Sequence, residues 1–112
     1  MADETALTAL VEREVLSFDE VSRFAAASLT ENITQAVLRR PSNPSISIST
    51  DDDGAVSINI EIIVYYGVNI PQLCYDIQTR VKKDIQEMTE FEIRAVNIRV
   101  EGIDKRETQS KE

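Results

Sequence analysis

One uninterrupted stretch, Val56 to Gly102, sets what this chain can fold into. Val56, Ile58, Ile60, Ile62 and Val64 alternate with Ser57, Asn59, Glu61, Ile63 and Tyr65, the two-residue period of a strand with one buried face. Tyr66-Gly67 breaks the alternation, and Asn69 opens a long helix. Asn69 and Gln72 form a capping box there, while Val68 and Leu73 staple the entry. Ile70, Leu73, Cys74, Ile77, Val81, Ile85 and Met88 then fall on a single apolar stripe. The other side carries Asp76, Thr79, Arg80, Lys83 and Glu87, with Asp76–Arg80 and Lys83–Glu87 spaced as i,i+4 ion pairs. A second branched-apolar strand, Phe91 to Ile103, completes the unit. Within it Phe91, Ile93 and Ala95 share one parity and Val96, Ile98 and Val100 the other. A bulge near Ala95 turns both sets toward one core; a strand covered on both faces gives the same pattern.

Upstream, Ser17 with Glu20 reads as a second capping box, flanked by Leu16 and Val21 as a staple. Val21, Phe24, Ala25, Ser28, Leu29, Ile33, Ala36 and Val37 continue at helical spacing, and Pro41 and Pro44 end that helix by Arg40. Val11 to Leu16 is expected to form a short leading strand. Ile46 and Ile48 alternate with Ser45, Ser47 and Ser49, and Asp51-Asp52-Asp53-Gly54 joins this strand to Ala55–Tyr65 as an antiparallel hairpin with glycine at positive φ. The three aspartates lack the alternating spacing and distant glutamate of a calcium loop and read as a turn.

These elements make one α+β domain: a small, mostly antiparallel sheet of three to four strands, two helices packed on one face, in the order (β)αββαβ. Its expected extent is residues 15–103, after a flexible segment at 1–14 and before a disordered charged tail at 104–112. The sheet face turned away from the helices carries serines followed by Asn59, Glu61, Ile63 and Tyr65. Ile63 and Tyr65 stand together there as an apolar patch, so those four residues are the expected interaction surface.

Composition narrows the function. Twelve Lys plus Arg against twenty Asp plus Glu leave a formal charge of −8, which opposes approach to nucleic acid or an anionic membrane surface. There is no histidine, and the single Cys74 lies on the helix stripe, where a structural role fits better than a nucleophile without a histidine to activate it. No catalytic, cofactor-binding or metal-binding residues are indicated. The amino terminus lacks the pattern of a secretory signal, and the longest apolar run is too short to span a bilayer, so a cytoplasmic chain without a transmembrane segment is expected. Protein partners, including a second copy, are expected in place of nucleic acid. A small nucleic-acid-binding module is the alternative reading, supported only by the basic residues of the second helix.

Ile62 to Ile103 resembles the C-terminal half of the alkaline shock protein family of Gram-positive bacteria. The resemblance rests on Tyr66-Gly67, Ile77-Gln78, Val81, Met88-Thr89 and Val96-Asn97-Ile98, and more weakly on Val15-Leu16-Ser17, Val21 and Phe24-Ala25. The small-residue and glycine step usual at the end of the family's first helix is replaced around Thr30 to Gln35. The resemblance implies a non-enzymatic, self-associating cytoplasmic protein of the cell-envelope stress response. Some members of the family are recruited to the membrane by a small anchor protein.

Overall fold

The computed structural model describes residues 4–26 and 43–106. Helix α1 (Glu4–Leu16) precedes strand β1 (Val21–Phe24), then come β2 (Ile46–Thr50), β3 (Val56–Tyr65), helix α2 (Ile70–Met88) and β4 (Ile93–Asp104). Strand β3 is the spine of a four-stranded sheet. Strand β2 pairs antiparallel with its first half and β1 antiparallel with its second half, so the two lie end to end along one edge. Strand β4 runs parallel along the whole of the other edge, and α2 is the crossover that a parallel pair requires.

The α+β class, the mostly antiparallel sheet and two helices packed on one face are as the sequence leads one to expect, although the first of these helices is Glu4–Leu16 and not the one expected from Ser17 onward. Val56, Ile58, Ile60, Ile62 and Val64 line the inner face and share a single core with Leu7, Val11 and Val15 of α1 and Leu73, Ile77, Val81 and Ile85 of α2. Asn69 caps α2 by accepting from the Gln72 N–H at 3.1 Å, with Pro71 in the first turn, where no intrahelical N–H is needed. The Gln72 side chain does not return the bond; it donates to Asp76 at 2.9 Å. Two side chains tie α2 to β4: Gln78 donates to the Val96 carbonyl at 2.9 Å, and Gln86 accepts from the Ile93 N–H at 2.8 Å.

The expected bulge is present. Val56 faces Ile93 but Ser57 faces Ala95, so β3 passes over Arg94, and both Ile93 and Val96 reach the core. A second register shift passes over Glu101, between Val100 opposite Ile62 and Gly102 opposite Ile63. In the hairpin, Gly54 has φ of 89°, and Asp51 Oδ1 accepts from the N–H groups of Asp53 and Ala55, both at 3.0 Å.

The amino-terminal third departs from expectation. Residues 4–14, expected to be flexible, belong to helix α1, which begins at Glu4 and buries Leu7, Val11 and Val15 at helical spacing. Val11 to Leu16 therefore lies in a helix and not in a leading strand. Ser17 ends that helix instead of opening another: its hydroxyl donates to the Glu14 carbonyl at 2.6 Å. Val21 to Phe24 is a strand. Val21 faces Val64 while Arg23 faces Ile63, so Ser22 is an inserted residue, and Val21 and Phe24 both point inward at a spacing of three. That spacing is what reads as helical. The remainder of the expected first helix, residues 27–40, lies outside the described residues. At the other end the domain continues past 103, since Asp104 belongs to β4 and Arg106 packs on Tyr65.

Candidate interaction surface

The outer face of the sheet is built from the residues of β3 that point away from the helices and their register partners in β4. Asn59, Glu61, Ile63 and Tyr65 stand in one row there, as the alternation requires. Asn59 accepts from Asn97 Nδ2 at 2.9 Å. Glu61 lies 4.0 Å from Arg99, which in turn holds Glu101 at 2.9 Å. Ile63 faces Gly102, and a Cβ at that glycine would lie 3.2 Å from the Ile63 Cδ1. Tyr65 is covered by Arg106, whose guanidinium sits 4.2 Å from the ring centroid.

Ile63 is only 8% exposed, so the expected apolar patch of Ile63 and Tyr65 does not form. Its β1 neighbour in register is Arg23. The outer face is a polar, ion-paired surface instead. Sequence reasoning missed its β4 half, Asn97, Arg99 and Gly102. The parity of Asn97 and Arg99, opposite to that of Val96, Ile98 and Val100, marks them once a bulge is placed before them, whereas Gly102 shares the inner parity and reaches the outer face only through the second register shift over Glu101.

Asp104 closes the row at one end. It accepts from Ser22 Oγ at 2.7 Å and from Arg23 Nε at 3.1 Å. The Ser22 hydroxyl and then the Arg23 guanidinium hold its carboxyl below the usual aspartate value. Asp51 marks the other end, where Arg94 Nε donates to it at 2.6 Å and Arg94 also lies 3.6 Å from Asp53. Desolvation alone would raise the Asp51 pKa, but hydrogen bonds from Arg94 and the Ala55 and Asp53 amides outweigh it and lower the value.

On the helix side, a groove of about 380 Å³ runs beside α2, lined by Phe18, Tyr75, Asp76, Thr79, Arg80, Lys83 and Asp84. Arg80 stacks 4.3 Å over Phe18 and donates to Ser17 Oγ at 3.0 Å, so it does not pair with Asp76, whereas Lys83 and Glu87 do pair at 3.5 Å. Burial, then a hydrogen bond and charge repulsion from Asp84, raise the Glu14 pKa against the opposing pull of Arg80 and Arg13. Cys74 is half-buried, and that burial pushes its thiol pKa up, away from thiolate reactivity. Among the described residues no cluster of three His, Cys, Asp or Glu is placed to hold a metal ion. No described helix is long and apolar enough to cross a membrane. The most exposed apolar side chains beside β4 are Tyr66 (78%) and Ile103 (55%), at adjacent ends of β3 and β4 where the Tyr66 N–H donates to the Asp104 carbonyl at 2.8 Å.

The family model of the alkaline shock protein 23 family, described as having a cell envelope-related function, matches residues 3–105. The chain is 41% identical over 58 residues to the uncharacterized protein Spy1535 of Streptococcus pyogenes serotype M6, a match covering 52% of this chain and 45% of that protein. It is 29% identical over 58 residues to the uncharacterized protein YqhY of Bacillus subtilis, covering 52% of this chain and 42% of that one. The chain thus spans less than half the length of either of these curated relatives. No solved structure matches.

Proposed function

Because the chain belongs to the alkaline shock protein 23 family, whose function is cell envelope-related, we propose that it works there as a non-enzymatic scaffold. It acts in the cytoplasm through protein contacts, first with copies of itself and then with a small membrane anchor protein that brings it to the envelope. The observation that supports this most is the outer sheet face. Its carboxylates are held by neighbouring cations or hydroxyls, Glu61 by Arg99 and Asp104 by Ser22 and Arg23, an arrangement suited to a rigid contact surface and not to proton transfer. The surplus of negative charge supports a protein partner over nucleic acid or a bare anionic bilayer.

Size-exclusion chromatography with light scattering across a concentration series, together with affinity capture from native cells, tests the reading. Concentration-dependent growth in mass and recovery of an envelope protein are expected. A chain that stays monomeric at high concentration and recovers no partner contradicts it.

A further inference from the structure

The outer edge of β4 is the longest open strand edge among the described residues, since β4 pairs with β3 on one side along its full length and with no other described strand. At its start the edge is guarded, because Gln78 of α2 takes the Val96 carbonyl. The stretch that follows, Asn97 to Ile103, has Val100 at its centre. Arg99 and Glu101 flank that centre as opposite charges, and Glu101 is the residue that β3 passes over in its pairing. Ile98 and Val100 are only partly buried, and Ile103 is exposed.

From this arrangement we infer that a second copy of the chain pairs antiparallel along the β4 edge, with the two-fold axis through Val100. Resting on the self-association reading above, this names the interface. In an antiparallel pair centred on one residue, positions equally spaced on either side face each other. Arg99 of each copy therefore meets Glu101 of the other, and the same charge pair is made twice. Any other centre near this point loses the match: an axis through Ile98 opposes Asn97 to Arg99, and an axis through Arg99 opposes like to like. The pairing joins two sheets into one, keeps the described helices of both copies on the same side, and extends the polar outer face across both copies.

The test exchanges the charges. Arg99→Glu and Glu101→Arg each place like charges opposite one another in the homodimer, and each is expected to weaken it roughly tenfold or more, as two attractive cross-strand pairs become repulsive. Mixed in equal amounts, the two variants regain opposite charges at both contacts, so sedimentation velocity should show a heterodimer from two weakly associating chains. Loss of the intrachain Arg99–Glu101 pair cannot produce that rescue. Val100→Cys in a Cys74→Ser background gives a second reading, because facing residues in an antiparallel pair lie within disulfide reach and mild oxidation should yield a covalent dimer. If the native chain associates but the mixture shows no rescue and Val100→Cys does not cross-link, this interface is overturned while self-association stands. If the native chain never associates, both fall.

Discussion

At Gly102 the missing side chain makes room for Ile63 on the outer face, where a bulge in β4 has brought the two opposite each other. Gly102→Val should overpack this point and cost about 1–3 kcal/mol, a range typical of inserted methyl groups. Urea denaturation of Gly102→Val, Ile63→Ala and the double variant should give a double variant more stable than the sum of the singles; simple additivity contradicts the contact. Three carboxyls give the stability a pH signature. Asp51 and Asp104 have folded values below their ordinary 3.8, so their contribution is present above pH 3.8 and is lost as the pH falls through the folded values. Glu14 has the opposite sign: its folded value lies above 4.5, so its contribution is full below pH 4.5 and is lost as the pH rises through that folded value. Glu14→Gln should therefore stabilise the chain at neutral pH and leave it little changed below pH 4.5, while Asp104→Asn should flatten the acid limb; urea midpoints across pH measure both.

At the scale of elements, α1 is the part that carries the unexpected weight. Leu7 is almost fully buried, and Leu7→Ala should cost about 2–5 kcal/mol by removing core volume that little can refill. An unchanged urea midpoint would show that α1 does not dock. The second half of the domain was legible because its periods are long and regular: ten residues of alternation in β3, a full stripe in α2, and a parity switch in β4 that only a bulge or double coverage explains. The first half was not, for a local reason. Ser17 followed by Glu20 imitates a helix start, yet the serine hydroxyl is used on the carbonyl of Glu14 behind it. The Ser22 bulge then gives β1 the apolar spacing of a helix. A bulge in a long strand declares itself against the alternation on either side. In four residues there is no alternation left to interrupt.

At the scale of the molecule, the sheet formed by the described residues is three strands wide, with one edge shared by two short strands and the other occupied by a single long one. The four residues singled out on β3 share one surface because strand period fixes their side. Their partners depended on β4 lying parallel beside β3, which no local pattern states. Pairing over long sequence separation also decided that Ile63 would be covered and that Arg99 and Glu101 would flank the open edge. A formal charge of −8 repels like copies at long range, so association must come from a matched local contact. Amide hydrogen exchange of the native chain at low and high protein concentration reads that contact directly. The account predicts that Asn97 to Ile103 gains protection as concentration rises while β1 and β2 do not. Exchange in Asn97 to Ile103 that is independent of concentration, with added protection appearing on another element, would contradict it.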